Sequence, residues 1–155
     1  MSERGPLSRI LRTSIAATSE AMFPENDLGA PDWKSTDLVA RTLSYLEELP
    51  PYNRRLVTLL FLLIELGAVL LGAGLRRFSK LPASRRTDLI RGWRRSSFEP
   101  YRMVGDSVKA VTTMMYMSHL AVVRYIEEYR ACEHPLDEHR IETRAGVFDR
   151  PEHVS

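Results

Sequence analysis

Apolar residues recur at intervals of three and four along much of the chain, which is the spacing of amphipathic helices. The first such stretch is Ser8–Met22, and the second is Ser35–Leu49, which two prolines stop. Two more follow, Pro82–Ser96 and Gly105–Glu128. No stretch shows the alternation that is typical of a strand. Together with the apolar run Leu56–Leu75, the pattern predicts an all-α fold. The predicted architecture is a single helical bundle of about five helices around a central apolar helix.

The central helix is predicted from the most apolar run of the sequence, Leu56–Leu75, in which Glu65 is the only charge. One interpretation buries this helix on all sides within the bundle. The other places it in or on a lipid bilayer, because its length is sufficient to span one. A glutamate near the middle of a bilayer then costs roughly 2.5–3.5 kcal/mol. We favour burial, which requires a partner for the Glu65 carboxylate.

The last predicted helix, Gly105–Glu128, carries one apolar stripe along its length, and His119 lies on that stripe. A histidine in such a position is typically bonded to a carboxylate or a carbonyl. We therefore hypothesise that Glu65 and His119 form a buried polar pair across the bundle. After Cys132 the sequence is polar, contains two prolines and shows no period. The sequence therefore predicts a bundle domain over residues 1–131 and an extended C-terminal tail over residues 132–155.

Charge is unevenly distributed, although the net charge is only +2. The basic segment Arg76–Arg95 contains eight arginines or lysines and one acid, whereas the chain from Glu127 onward contains eight acids and four arginines. The basic segment suits an acidic protein partner, an anionic membrane surface or plain solvent. Nucleic acid is not expected as a partner, because the overall charge is near neutral and no nucleic-acid-binding motif is present.

Few residues indicate chemistry. The sequence has no phosphate-binding or dinucleotide-binding motif, and its four histidines are not spaced to form a metal site. The single cysteine, Cys132, excludes an internal disulfide, and the N-terminal residues do not form an export signal. We expect no catalytic, cofactor-binding or metal-binding residue in this chain. We also expect a cytoplasmic location, with a membrane-peripheral position left open.

Two segments resemble a known family. The first, Ser19–Pro51, joins a helix ending in Phe-Pro, a Gly-Ala-Pro-Asp loop and an amphipathic helix ending in Leu-Pro. The second, Phe78–Met117, begins with a pattern of Phe78, Leu81, Pro82, Arg86, Leu89 and Trp93. They resemble the small helical subunit or domain that accompanies flavin-dependent alcohol oxidoreductases of the glucose–methanol–choline (GMC) type, including the N-terminal region of long-chain fatty alcohol oxidases. The small third subunit of gluconate 2-dehydrogenase is more distantly similar.

The resemblance implies a non-catalytic accessory subunit of a large FAD-dependent alcohol dehydrogenase or oxidase, in which the partner holds the flavin and the catalytic histidine. This chain would stabilise that partner, shape access for a lipophilic substrate or dock the complex on a membrane surface. The alternative is a membrane-associated helical protein with Leu56–Leu75 in or on the bilayer. We expect the interface with the flavoprotein to include Met114, Met115, Tyr116, Met117, Arg86, Trp93 and Arg94.

Overall fold

All regular structure in the described residues is helical. The computed structural model describes residues 5–70 and 76–131. Its elements are α1 (Pro6–Met22), α2 (Leu38–Glu48), α3 (Pro51–Leu70), a 3-10 turn (Phe78–Lys80), α4 (Ala83–Arg94), α5 (Glu99–Met117) and α6 (Leu120–Ala131). This architecture confirms the predicted all-α bundle, with six α-helices in the described ranges where the sequence predicted about five. The predicted tail, residues 132–155, lies outside the described residues.

Helix α1 is the hub of the bundle, because it contacts α2, α3, α4, α5 and the 3-10 turn. Its buried face combines Leu11 and Ile15 with small residues such as Ser14 and Ala17. Small side chains allow neighbouring helices to approach closely, and the Ser14 hydroxyl donates a hydrogen bond to the Phe61 carbonyl of α3 at 2.7 Å. The other helices are therefore arranged around α1, and the apolar α3 is one of the helices that pack against it.

Helix α3 buries one side only. Phe61, Ile64 and Ala68 are fully buried, whereas leucines on the opposite side are about half exposed. The prediction of a helix buried on all sides is therefore wrong, because α1, α2, α5 and the 3-10 turn cover a single face of α3. Within the residues that the structure describes, no helix has both the length and the apolar character needed to cross a membrane.

Glu65 lies on the covered side of α3, where it is 2% exposed, and it binds the 3-10 turn. The Ser79 hydroxyl donates to one carboxylate oxygen at 2.5 Å, and the Ser79 N–H donates to the other at 3.1 Å. His119 lies at the junction of α5 and α6, where its Nδ1 accepts a hydrogen bond from the Ala121 N–H at 3.2 Å. The hypothesised Glu65–His119 pair is therefore replaced by two separate contacts, although the expectation that Glu65 needs a partner is met.

The long helix predicted over Gly105–Glu128 consists of two helices. The first, α5, begins earlier than predicted and accommodates Pro100 in its first turn, where a proline removes no helical hydrogen bond. It ends where Arg41 of α2 donates to the Met115 carbonyl and to the Ser118 hydroxyl, both at 2.8 Å. The break thus coincides with a contact from another helix, which the periodicity of the sequence does not show.

The buried apolar residues form two clusters. The larger cluster includes Ile15 of α1, Phe61 of α3 and Trp93 of α4. The smaller cluster lies under the α5–α6 junction, and its buried members are Leu38, Met115, Tyr116 and Val122. The smaller cluster therefore fixes the end of the bundle at which the two halves of the predicted long helix meet.

Candidate functional site

Two helix faces expose apolar side chains that the fold leaves uncovered. The methionine face spans the α5–α6 junction and consists of Met114, Met117, Leu120 and Val123, which are 38–60% exposed. The leucine face is the outer side of α3 and consists of Tyr52, Leu56, Leu59, Leu63 and Leu66, which are 44–71% exposed. Single exposed apolar residues are ordinary, but contiguous ones mark interaction sites. These two faces are therefore the candidate functional surfaces.

The methionine face is supported from below by the smaller cluster. The Tyr116 ring stacks on Phe23 with 3.9 Å between ring centroids and 7° between ring planes. The Tyr116 hydroxyl donates to the Pro31 carbonyl at 2.5 Å. Burial raises the pKa of Tyr116 above its ordinary value, which keeps this hydroxyl protonated as a donor. With Met115 and Val122 buried beside it, Tyr116 holds the junction in one arrangement.

The four consecutive residues predicted at the interface divide into exposed and buried pairs. Met114 and Met117 are exposed and belong to the methionine face. Met115 and Tyr116 are buried in the smaller cluster. Consecutive residues cannot all point to one side, because successive side chains on a helix are about 100° apart. The interface prediction therefore stays open for the two exposed methionines, while their neighbours pack inside the chain.

Arg86, also predicted at the interface, binds the backbone of the chain itself. Its guanidinium donates to the Leu81 carbonyl at 3.0 Å and to the Ala17 carbonyl at 2.9 Å, and it forms an ion pair with Glu20 at 2.8 Å. Arg86 thus joins α4 to α1. Trp93 is buried in the larger cluster. Neither side chain is available to a partner in this structure.

Arg94 and the other cations of the basic segment, apart from Arg86, remain at the surface. The Arg94 Nε donates to the Asp106 carboxylate at 2.8 Å, which ties α4 to α5. Its side chain is still 37% exposed and remains a candidate for contact with a partner. The other exposed cations of the segment are Arg76, Arg77, Lys80, Arg85, Arg91 and Arg95. The cations of the basic segment, apart from Arg86, are therefore at least partly exposed in this chain.

The leucine face was not predicted as a site. Its five residues follow intervals of four, three, four and three, which is the spacing of a coiled-coil seam. Phe61 and Ala68, both fully buried, lie on the opposite side of the helix. The interval pattern is present in the sequence. It does not stand out as an amphipathic pattern, because both sides of α3 carry apolar residues.

Several titratable side chains in the described residues bind other parts of the chain. Asp32 accepts a hydrogen bond from the Ser35 N–H at 2.7 Å, and the Ser35 hydrogen bonds hold the pKa of the Asp32 carboxyl below its usual value. This contact orders the loop before α2. In the described ranges, no group of three or more His, Cys, Asp and Glu side chains could hold a metal ion.

Comparison with known proteins identifies no relative of this chain. The chain matches no protein-family model, no curated protein and no solved structure. In the described residues, what bears on function is therefore the pair of exposed faces.

Proposed function

We propose that this chain is a non-catalytic helical accessory subunit that binds a larger FAD-dependent alcohol oxidoreductase of the GMC type through its methionine face. The flavoprotein supplies the flavin and the chemistry, and this chain stabilises it. The observation that supports the proposal is the exposure of Met114, Met117, Leu120 and Val123 next in sequence to Met115, Tyr116 and Val122, which are buried in the smaller cluster.

Two features of the methionine face suit a protein partner. Methionine side chains are flexible and polarisable, so they adapt to an irregular apolar surface, and they are enriched at the centres of interfaces. The neighbouring residues Ser118, Arg124 and Glu127 are exposed and polar, which matches the polar rim of a typical interface. An apolar centre within a polar rim, on a rigid support, is the arrangement that a stable subunit contact requires.

The resemblance supplies the class of partner. In this structure Phe78, Leu81 and Trp93 of the shared pattern are buried, and Arg86 is bound to α1. The pattern thus describes how the 3-10 turn and α4 pack on the bundle. A chain that shares this packing pattern is a candidate for the same assembly role, and the methionine face is the part of its surface best suited to that role.

The proposal is tested by gentle affinity purification of the tagged chain from its native cells, followed by an absorption spectrum and intact masses. We expect flavin absorption and a co-purifying chain of flavoprotein size. The double variant Met114→Lys/Leu120→Lys should lower the flavin recovered per chain by about tenfold or more, because desolvating the two charges at an interface centre costs at least about 1.4 kcal/mol in total. Leu28→Lys is the matched control, since Leu28 is an exposed leucine outside both faces.

Far-UV circular dichroism must first show that both variants keep the helical content of the wild-type chain. A colourless wild-type chain that elutes alone would overturn the proposal. Full flavin recovery with Met114→Lys/Leu120→Lys would leave the partnership in place but refute the methionine face as its site.

A further inference from the structure

We infer that a cleft between α1, α2 and the start of α3 binds a small organic anion, a molecule with a carboxylate or phosphate head and an apolar body. The cleft has a volume of about 540 Å³, which lies within the range of small-molecule sites. This arginine cleft is lined by residues of three helices, including Arg9, Arg12, Leu43, Leu46, Arg54 and Thr58. No residue of the methionine face lines it, and the inference does not rest on the proposed function.

Three arginines supply the charge of the arginine cleft. Arg9 and Arg12 are exposed on α1 and lie three residues apart, so they are neighbours on one side of that helix. Arg54 reaches the same cleft from the first turn of α3. Among the described residues that line the cleft, Glu47 carries the one carboxylate, and none of these four side chains forms an ion pair within the described ranges. The cleft therefore has an excess of positive charge that a ligand can neutralise.

The fold gains little from cations at these positions. Arg9 and Arg54 lie in the first turns of α1 and α3, where the helix dipole carries partial positive charge and disfavours a cation. Arg9 and Arg12 also repel each other, because like charges on adjacent turns are destabilising. A bound anion offsets both costs, and guanidinium groups bind carboxylate and phosphate oxygens through paired hydrogen bonds.

Arg54 is fixed beside the cleft and retains an unused donor. Its Nη2 donates to the carbonyls of Glu47 and Leu49 at the end of α2, so the guanidinium is held in place by the backbone. Its Nε is buried and has no hydrogen-bond partner in the described residues. A buried donor without an acceptor is costly. An anion seated against this guanidinium reduces that cost, because it balances the charge of the whole group.

The apolar part of the lining indicates that the ligand also has an apolar body. Ala40 is exposed and Leu43 is half-buried at the cleft. Leu11 and Leu46, which also line it, belong to the larger cluster. A hydrocarbon chain covers such a lining, whereas an inorganic anion leaves it in contact with water. Apolar side chains with a few polar groups that fix orientation are typical of small-molecule sites.

Isothermal titration calorimetry of the full-length chain tests the inference. The probes are octanoate and octyl phosphate, each below its micelle concentration, and they distinguish a carboxylate head from a phosphate head. We expect at least one of them to bind with one molecule per chain. That probe should bind at least about tenfold more tightly than inorganic phosphate, because its hydrocarbon chain is removed from water in the cleft.

Variants of the exposed arginines identify the site. Arg9→Gln/Arg12→Gln should weaken binding at least about tenfold, because it removes two charge-assisted donors. The fold should tolerate this change, since neither side chain forms an ion pair in the described residues and glutamine favours helix about as well as arginine. Far-UV circular dichroism checks that the helical content is unchanged.

Arg85→Gln/Arg95→Gln is the matched control, since it removes the same charge from exposed arginines outside the cleft. Its affinity should stay within about twofold of wild type at about 0.15 M salt, where distant surface charges are screened.

Four results would overturn the inference. They are no binding of either probe by the full-length chain, equal affinities for inorganic phosphate and the octyl probes, equal weakening in the two double variants, and binding to vesicles that contain phosphatidylserine without binding to either dissolved probe. None of these results depends on the flavoprotein, so a failure here is distinguishable from a failure of the proposed function.

Discussion

Two buried charged side chains, Glu65 and Arg86, connect elements that are distant in sequence. Glu65 accepts two hydrogen bonds from Ser79, and Arg86 donates to two carbonyls and to Glu20. A buried charge is tolerated only when such partners are present. The need for a partner of Glu65 followed from the sequence, because it interrupts an apolar run. The burial of Arg86 did not, because Arg86 is one of several arginines in a basic segment.

The contact between Glu65 and Ser79 gives the first prediction. Ser79→Ala should lower the free energy of unfolding by about 1–3 kcal/mol, because it leaves a buried carboxylate oxygen without its donor. In a double-mutant cycle measured by urea unfolding, Glu65→Gln and Ser79→Ala should couple by at least about 0.5 kcal/mol. Glu65→Gln and His119→Ala should be additive, because these side chains bind different partners. Coupling of Glu65 to His119 instead would show that this assignment of partners is incorrect.

Arg86 and Arg85 form a matched pair for the second prediction. Arg86→Met should cost about 1–3 kcal/mol of unfolding free energy, because it removes the hydrogen bonds of the buried guanidinium to the Leu81 and Ala17 carbonyls and its ion pair with Glu20. Arg85→Met should change the unfolding free energy by less than about 0.5 kcal/mol, because Arg85 is exposed. Chemical denaturation of both variants is the measurement. Equal effects would mean that Arg86 is not bound to α1 in solution.

The buried hydroxyl of Tyr116 predicts a dependence of stability on alkaline pH. Burial raises its pKa in the folded chain, whereas the unfolded side chain ionises near its ordinary value of about 10. The protonated Tyr116 hydroxyl therefore contributes its full share of the folding stability below that pH. This share is lost as the pH rises through the folded-state pKa. Unfolding curves from pH 8 to 11 should show a steeper loss for the wild-type chain than for Tyr116→Phe. Equal losses of stability in the two chains would exclude Tyr116 as the origin of the pH dependence.

At the scale of elements, the sequence predicted which segments are helical better than where they end. Proline and apolar spacing located α1, α2 and α4 to within a few residues. The break between α5 and α6 was missed, because the apolar stripe continues through it and the Arg41 contact with the Met115 carbonyl comes from another helix. The exposed side of α3 was missed for a related reason: an apolar helix shows in sequence that it can be buried, but not which side its neighbours cover.

The crossing of α4 and α5 gives the fourth prediction. A Cβ added at Gly105 would lie 2.8 Å from the Arg94 Cγ, 3.1 Å from the Arg94 backbone nitrogen and 3.3 Å from the Trp93 Cβ. Gly105→Ala should therefore destabilise the fold by about 1–2 kcal/mol, because the clash outweighs the gain in helix propensity. Gly92→Ala should be neutral or stabilising by up to about 1 kcal/mol, because a Cβ there meets open space. Thermal unfolding of both variants tests this prediction. A higher melting temperature for Gly105→Ala would refute the close approach of α4 and α5 at this position.

At the scale of the whole molecule, two helices run through both apolar clusters. Helix α2 contributes Leu46 to the larger cluster and Leu38 to the smaller one, and α5 contributes Val108 and Met115 in the same way. Helices α2 and α5 therefore connect the two clusters directly, in addition to the loops between elements. The candidate surfaces lie at different places on this frame. The methionine face was partly predictable, whereas the leucine face required knowledge of which side of α3 is covered.

This shared frame predicts that both clusters unfold together. The chain has two tryptophans: Trp33 packs against the smaller cluster and Trp93 belongs to the larger one. In the single-tryptophan variants Trp33→Phe and Trp93→Phe, fluorescence and far-UV circular dichroism should give the same urea midpoint within each variant, as expected for a cooperative small domain. Trp93→Phe should have the lower midpoint of the two, because it removes buried volume from the larger cluster. A Trp33 signal that changes before the helical signal would mean that the α5–α6 end opens on its own, and the methionine face would then lack the rigid support on which the proposed subunit contact depends.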